Sequence, residues 1–256
     1  MPDDSAIPIP SSFSPTGLLV VDKPIGMSSM HVCRIVRRRL VNAGAPKRVK
    51  VGHAGSLDPL ATGVLIILIG RATRLCEAIM HGRKRYVATV DLAHRSDTHD
   101  YEGALEPVAV EHPPTRDQVT AALARFVGPI QQTPPIHSAL KIAGESAYKR
   151  ARRGEDIQMK PRTITIHAID LIDYDFPMLT IDVACGRGTY IRSLARDIGL
   201  ALDTGGTLAS LRRTAVGPFL IDHAKPIDGG VPDPLTQPDL IPMDSLNLDE
   251  TGDQES

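Results

Sequence analysis

Apolar residues occur in short runs with two different periods, one typical of strands and the other typical of helices. Continuous apolar runs at 18–21 and 64–69 predict buried strands, because each has strand length and is soon followed by proline or glycine. Alternation with period two over 86–92 predicts a third strand with one apolar face. Three later runs also have strand character, at 163–172, 178–184 and 211–219.

Helical spacing of apolar residues appears in four segments between these runs. Ser28 or Ser29 has the position of an N-cap before the first helix, and Gly44 ends it. The other predicted helices cover 72–81, 115–126 and, after the glycine turn at 186–188, 191–198. Strands mixed with helices, without an internal repeat, predict a mixed α and β fold.

Residues 51–63 form a glycine-rich loop between apolar runs. Gly52, Gly55 and Gly63 allow backbone angles and close approaches that other residues resist. Pro59 disfavours helix at Asp58, so we expect a constrained loop to present this carboxylate beside the apolar run 64–69. Asp-Pro is also an ordinary turn dipeptide, so this pair alone indicates no particular chemistry.

Charge is unevenly divided along the chain. Residues 1–220 carry 28 basic and 21 acidic side chains, whereas residues 221–256 carry one basic and nine acidic side chains. The net charge of −1 therefore combines a basic body with an acidic tail, which favours a polyanionic partner for the body. A solvated charged surface is the alternative. Aromatic residues make up only 4% of the chain, with no Trp, which argues against an extensive stacking platform for single strands.

Two basic segments are candidates for contact with a polyanion. The first helix and the residues after it carry seven bases, namely Arg34, Arg37, Arg38, Arg39, Lys47, Arg48 and Lys50. Residues 128–162 are punctuated by prolines, and their candidate phosphate contacts are Lys141, Lys149, Arg150, Arg152 and Arg153. We interpret 128–162 as a protruding insertion that grips a phosphate backbone. A long surface loop with a short helix at 146–153 is the alternative.

Other residue patterns bound the protein class. The three cysteines are sparse and have no zinc-site spacing, which favours reduced thiols in the cytoplasm. Asp97, His99 and Asp100 fit no Ca²⁺ or Zn²⁺ template, so we expect no metal there. Residues 1–15 are rich in Pro and Ser, and we expect them to be disordered and to lack a signal peptide. The longest apolar run is too short to span a membrane.

Six sequence blocks, in order, resemble motifs of the TruB family of tRNA pseudouridine synthases. They lie at 17–26, 52–65, 84–86, 97–103, 132–141 and 188–194. The resemblance implies an α+β pseudouridine synthase fold, a mixed and largely antiparallel sheet with flanking helices and a basic insertion. It predicts a catalytic domain at 16–220 that contains the insertion at 128–162, followed by an acidic C-terminal tail at 221–256.

The resemblance also implies the reaction and the residues that perform it. Uridine 55 in the TΨC arm of tRNA would be flipped and isomerised to pseudouridine by cleavage and re-formation of its glycosidic bond. Asp58 would be the nucleophile or base, with attack on ring or sugar left open. Five further residues would bind the substrate. Tyr86 would stack on uracil, Leu211 would line an apolar pocket, and His53 would help displace uridine from its stack in the T loop. Tyr190 would contact the base or assist removal of the carbon 5 proton, and Arg192 would favour the ionised form of Asp58.

The implied isomerisation involves no redox change and no phosphoryl transfer, so no cofactor and no metal are expected. The expected partner is the T arm of tRNA, and we expect a monomer that contacts no membrane.

The sequence departs from the family pattern in three ways. Ala54 stands where many members have Thr, and His137 stands where a Tyr is usual. Bacterial members usually carry a PUA-type domain after a linker that resembles 240–246, and this domain is expected to be missing.

Two other functions compete with this prediction. A non-catalytic RNA-binding module would keep the scaffold without needing turnover at Asp58. A glycosidase-type hydrolase would need a second carboxylate to pair with Asp58, and no nearby carboxylate has a sequence feature that indicates this role.

Overall fold

The computed structural model describes residues 13–136, 141–142, 145–146, 153, 155 and 158–246. Contacts between residues divide the chain into two compact units, Met1–Met80 with Phe219–Gly252, and His81–Pro218 with Asp253–Ser256. Within the described ranges, we find no helix with both the length and the apolar character needed to cross a bilayer.

Strands and helices follow one another along the described chain. The strands are β1 (Gly17–Lys23), β2 (Val51–His53), β3 (Ala61–Ile69), β4 (Lys84–Asp91), β5 (His94–Arg95), β6 (Glu106–Pro107), β7 (Gly128–Gln132), β8 (Lys141–Ile142), β9 (Glu145–Ser146), β10 (Arg162–Asp175), β11 (Met178–Cys185), β12 (Thr207–Val216), β13 (Phe219–Leu220) and β14 (Lys225–Pro226). The α-helices are α1 (Ser29–Asn42), α2 (Cys76–His81), α3 (Arg116–Ala124) and α4 (Ile191–Ala201). Short 3₁₀ helices cover Gly70–Leu75, Ile221–His223, Gln237–Asp239 and Met243–Ser245.

The first unit is built around β1 and β3, which pair antiparallel with Val20 opposite Ile66. Both strands are almost wholly buried, which confirms the two strands predicted from continuous apolar runs. Strand β2 pairs antiparallel with β3, and β14 pairs parallel with β1. Helix α1 begins where predicted, because the Ser28 side chain accepts a hydrogen bond from the backbone N–H of His31 at 3.2 Å.

The acidic segment after residue 220 folds against the first unit as far as it is described. Leu18 and Ile241 exchange two backbone hydrogen bonds of 2.9 and 2.8 Å. The buried Arg39 donates hydrogen bonds of 2.7 Å to the carbonyls of Ile227 and Val231. The prediction that Arg39 belongs to an exposed phosphate surface is therefore wrong, because its guanidinium satisfies backbone carbonyls inside the fold. Sequence could not reveal this role, since it depends on partners 188 and 192 positions away.

We expect Arg39→Met to lower the free energy of unfolding by about 3 kcal/mol, because two buried carbonyls lose a charged donor. Urea unfolding measured by circular dichroism would show the change as a lower midpoint. Arg38→Met is the matched control, since Arg38 lies next to Arg39 on α1 and is exposed. Equal midpoint shifts in the two variants would contradict the structural role of Arg39.

The second unit contains a mostly antiparallel arrangement in the order β12–β4–β11–β10–β7. Tyr86, Ala88 and Val90 form the buried face of β4, as the period-two alternation predicts. Helix α3 opens with a capping box between Thr115 and Gln118. Helix α4 packs against β12. These elements confirm the predicted mixed α and β class with largely antiparallel strands.

Several element boundaries differ from the sequence prediction by a few residues, and two of the differences have a clear description in the structure. The predicted helix at 72–81 is a 3₁₀ helix until Leu75 and α-helical only from Cys76. The predicted last strand at 211–219 begins earlier, at Thr207, because Thr207 and Leu208 pair with the end of β4. Backbone pairing with a distant strand, rather than local apolar periodicity, sets this second boundary.

Candidate active site

Asp58 lies in a tight turn between β2 and β3 of the first unit. Its carbonyl accepts a hydrogen bond of 3.1 Å from the N–H of Ala61, which closes a four-residue turn with Pro59 in the second position. Proline is common at the second position of such turns, because its ring fixes the φ angle that the turn needs. Gly55 and Gly63, on either side of the turn, have positive φ values of 93° and 102°. The half-buried Asp58 is therefore presented from constrained backbone.

The residue before Asp58 is held by a side chain of α1. The Ser29 hydroxyl donates to the carbonyl of Leu57 at 3.0 Å and accepts from the N–H of Leu57 at 2.8 Å. Ser29 is buried, so these two bonds lie away from water. The sequence offered Ser28 and Ser29 as alternative N-caps of α1. In the structure Ser28 is the N-cap, and Ser29 instead holds Leu57, the residue before Asp58.

The residue after Asp58 is held by the turn that follows β1. The carbonyl of Pro59 accepts hydrogen bonds from the N–H of Gly26 at 2.9 Å and from the Lys23 ammonium at 3.4 Å. Lys23 is fully buried and also donates to the carbonyls of Pro24 and Met27. The first and second sequence blocks thus meet in space, and both neighbours of Asp58 are fixed from outside the loop.

His53 ends β2 in the same unit and is half-buried. Its carbonyl accepts a weak hydrogen bond from the Cys76 thiol, with 3.6 Å between sulfur and oxygen. The next residue, Ala54, is buried and donates its N–H to the carbonyl of Ile66 at 2.9 Å. The backbone at the start of the loop is therefore continuous with the β2–β3 pairing.

Tyr86 and Leu211 lie on neighbouring strands of the second unit. Arg213 of β12 is opposite Tyr86, and Leu211 of the same strand is opposite Ala88. Residues that are directly opposite in a sheet share a face, so Tyr86 and Leu211 lie on the same face. Each is 9% exposed, so both side chains are largely buried, and the buried Arg213 shares their face.

Tyr190 and Arg192 come together at the start of α4. Tyr190 occupies the N-cap position and is half-buried, and Arg192 lies in the first turn. The Arg192 guanidinium is 3.3 Å from a carboxylate oxygen of Asp100, and the exposed fractions of the two side chains are 7% and 0%. Arg192 also donates to the carbonyl of Thr98 at 3.4 Å. A buried charged pair therefore fixes the position of Arg192.

Asp100 is the charge partner of Arg192, and sequence reasoning did not single it out for this role. One of its oxygens accepts hydrogen bonds from the Thr98 hydroxyl at 2.6 Å and from the N–H of Glu102 at 3.1 Å. The other oxygen forms the ion pair with Arg192. The sequence offered Asp100 only as a possible metal ligand and as part of the block at 97–103, and the ion pair spans 92 positions, so no local pattern could reveal it.

The turn that carries Asp100 also contains His99 in a left-handed conformation, with φ of 60°. Burial, followed by the charge of Arg196, lowers the pKa of His99 below its usual value. The neutral ring suits the observed contact, in which the Arg196 guanidinium lies 3.5 Å from Nε2. Among the residues that the structure describes, we find no cluster of His, Cys, Asp and Glu that could hold a metal ion.

Lys84, a buried basic residue, lies two positions before Tyr86 on β4. Burial lowers the pKa of Lys84 to about 8. Burial also raises the pKa of the Cys185 thiol, opposite Lys84 on β11, to about 11. At neutral pH this arrangement leaves a charged ammonium beside a neutral thiol, and it does not generate a reactive thiolate.

The predicted phosphate-binding residues are only partly covered by the structure. Lys149, Arg150 and Arg152, the side chain of Lys141 and the departing residue His137 lie outside the described residues. Arg153 is exposed and pairs with Glu155 at 2.6 Å. At the ends of the predicted insertion, β7 and β10 pair antiparallel, with Gln132 opposite Arg162.

Comparison with known proteins identifies similar sequences over most of the chain. Residues 38–191 match the model of the TruB family pseudouridylate synthase (N terminal domain), and residues 192–228 match that of the tRNA pseudouridylate synthase B C-terminal domain. The tRNA pseudouridine synthase B of Phocaeicola vulgatus is 41% identical over 217 residues, which are 85% of this chain and 92% of that protein. The protein of the same name from Bradyrhizobium diazoefficiens is 46% identical, over 83% of this chain and 60% of its own length.

A solved structure shows the same fold. A chain in the crystal structure of a Cbf5–Nop10–Gar1 complex superposes with a TM-score of 0.61 and is 30% identical. The match covers 83% of this chain and 52% of that one, so this chain spans about half of its structural neighbour. With the strand order described above, this likeness confirms the predicted α+β fold.

Proposed function

Since the chain belongs to the TruB family of pseudouridylate synthases, we propose that it isomerises uridine 55 in the T arm of tRNA. Relatives at 40–46% identity are tRNA pseudouridine synthases, so the chain is an enzyme that converts uridine to pseudouridine in tRNA. The position within tRNA and the residues that act are the parts that this proposal adds.

Asp58 acts as the nucleophile or base in the proposed mechanism. The bond between N1 of uracil and C1′ of the ribose breaks, the base turns, and a bond forms between C5 and C1′. The proton then leaves C5, and N1 carries a proton in the product, so atoms balance without an external reactant. Asp58 must be ionised when it reacts, because the carboxylate is a far stronger nucleophile and base than the protonated acid.

Five residues bind the flipped uridine in this proposal. His53 helps displace the base from its stack, Tyr86 stacks on the uracil ring, and Leu211 supplies apolar contact. Tyr190 contacts the base or assists removal of the C5 proton, and Arg192 favours the charged form of Asp58. We also propose that Lys141, Lys149, Arg150, Arg152 and Arg153 contact the RNA backbone.

One observation carries the proposal: the residues on both sides of Asp58, Leu57 and Pro59, are held by hydrogen bonds from Ser29, Gly26 and Lys23, which lie outside the loop. Such rigid presentation is what a reacting carboxylate needs and what an ordinary surface turn does not. We further propose that residues 16–220 form the catalytic domain, with the insertion at 128–162, and that the protein acts as a cytoplasmic monomer.

We expect purified protein to form pseudouridine at position 55 of an unmodified tRNA transcript, detected by carbodiimide labelling and primer extension. A transcript with cytidine at position 55 is the matched control and should remain unlabelled. Product at another uridine would overturn the proposed position. Abasic RNA with free uracil would favour a hydrolase, and bound tRNA without any product would favour an RNA-binding module.

A further inference from the structure

Tyr190 is held through its backbone by a buried amide. Gln132, the last residue of β7, is 0% exposed. Its Oε1 accepts a hydrogen bond of 2.8 Å from the N–H of Tyr190, and its Nε2 donates one of 3.1 Å to the carbonyl of the same residue. One side chain therefore fixes both peptide groups that flank the Tyr190 side chain, and with them the start of α4.

Arg162, which begins β10 directly opposite Gln132, holds the same tyrosine through its ring. The guanidinium carbon of Arg162 lies 5.0 Å from the centroid of the Tyr190 ring, within the range of a cation–π contact. The guanidinium also donates to the carbonyl of Gly188. A methyl group at Gly188, which has φ of 86°, would lie only 3.2 Å from that guanidinium. Glycine at this position therefore allows Arg162 to reach over the tyrosine ring.

We propose that Gln132 and Arg162, here called the Tyr190 clamp, position Tyr190 for the isomerisation. Gln132 sets the backbone of Tyr190, and Arg162 sets the direction of its ring. Both are positioning residues, since each acts through Tyr190 and neither is required to touch the uridine. This inference rests on the proposed place of Tyr190 in the active site.

The physical reason lies in the freedom of a half-buried tyrosine. Tyr190 precedes the first helical residue, and its carbonyl accepts a hydrogen bond of 3.0 Å from the N–H of Leu194, but its side chain makes no capping bond, so its own helix does not fix the direction of the ring. A ring that turns about its side-chain bonds moves its hydroxyl by several ångströms, and misplacement of about 1 Å can reduce a rate by about 10²-fold. Loss of the clamp should therefore slow the chemical step and leave tRNA affinity nearly unchanged.

The kinetic test compares Gln132→Met and Arg162→Met with the wild-type chain under single-turnover conditions. We expect the rate constant to fall about 30-fold in each variant and the Kd for tRNA to change less than about threefold. Arg162→Lys, which keeps a cation, should recover part of the lost rate. Gln131→Met is the matched control and should keep the wild-type rate, because Gln131 is the exposed neighbour on β7 and donates to the Thr163 hydroxyl at 2.8 Å.

A second measurement reads Tyr190 directly, without RNA. The chain has five tyrosines, so protein labelled with 3-fluorotyrosine should give few ¹⁹F resonances, and Tyr190→Phe identifies the one from Tyr190. We expect this resonance to shift in Gln132→Met and Arg162→Met and to stay in place in Gln131→Met. Unchanged melting temperatures would show that all variants are folded.

Three results would overturn the inference. The Tyr190 resonance could stay unshifted in the clamp variants, both variants could keep the wild-type rate, or a higher Kd for tRNA could account for the whole loss of rate. If wild-type protein forms no pseudouridine, the proposed function itself fails; if only the proposed place of Tyr190 in the active site is wrong, the pattern is different. In that case Tyr190→Leu itself would keep the wild-type rate, while the resonance of Tyr190 would still shift in the clamp variants.

Discussion

Asp58→Asn is expected to lower pseudouridine formation by about 10³-fold or more, while tRNA binding stays within about threefold of wild type. The substitution keeps the size and shape of the side chain but removes the carboxylate charge that attack or proton removal requires. The turn that the N–H of Ala61 closes on the Asp58 carbonyl, and the hydrogen bonds that hold Leu57, do not involve the Asp58 carboxylate, so they should persist in the variant. Single-turnover assays and filter binding measure the two quantities separately.

Two further variants sharpen this prediction. Asp58→Glu keeps the charge, but the rigid turn cannot retreat to accommodate an additional methylene, so we expect a loss of at least about 10²-fold. Asp228→Asn is the matched control, because it makes the same chemical change at an exposed position of the same unit. Loss of tRNA binding in parallel with activity would assign Asp58 a role in binding or folding and would contradict the proposed chemistry.

Asp100→Asn is expected to destabilise the protein by about 3–5 kcal/mol and to slow the reaction about tenfold or more. The substitution removes the carboxylate charge that faces the buried guanidinium, and breaking a buried ion pair costs more stability than losing a surface pair. Arg192 can then shift from the position in which the Asp100 ion pair holds it. Urea unfolding and single-turnover rates give the two effects.

A double-mutant cycle tests whether the two residues act as a pair. Arg192→Met removes the charge and keeps much of the apolar stem, so Asp100→Asn should cost less stability in that background than in wild type. Asp97→Asn is the control in the same turn, since Asp97 is exposed. Additive losses of stability from Asp100→Asn and Arg192→Met would show that the ion pair is not what stabilises this part of the fold.

Local patterns were sufficient for elements whose cause lies within a few residues. Helix α1 begins after Ser28 because a hydroxyl there can accept from an N–H three positions later. Strand β4 buries Tyr86, Ala88 and Val90 because alternate side chains of a strand share a face. The turn at Asp58 follows from Pro59 and the glycines around it. These features depend on backbone geometry that is determined by the sequence of each segment itself.

The same patterns failed where the cause is distant. Nothing in the sequence distinguishes the seven basic residues near α1 from one another. In the structure, however, Arg39 is buried against the carbonyls of Ile227 and Val231, while Arg38 is exposed. The acidic composition after residue 220 predicted a tail, but Ile241 exchanges hydrogen bonds with Leu18. Charge indicates that a side chain needs a polar partner, and it does not say whether water or a carbonyl supplies it.

The sequence by itself therefore determined the mixed α and β elements, the constrained presentation of Asp58 and, through six ordered blocks, the family. The tertiary structure alone decided which residues hold each candidate site residue in place: Ser29 around Leu57, Asp100 against Arg192, and Gln132 with Arg162 against Tyr190. Each of these contacts joins residues 28 or more positions apart in the chain. Hydrogen bonds and ion pairs act over about 3 Å, so they exist only once folding has brought such residues together.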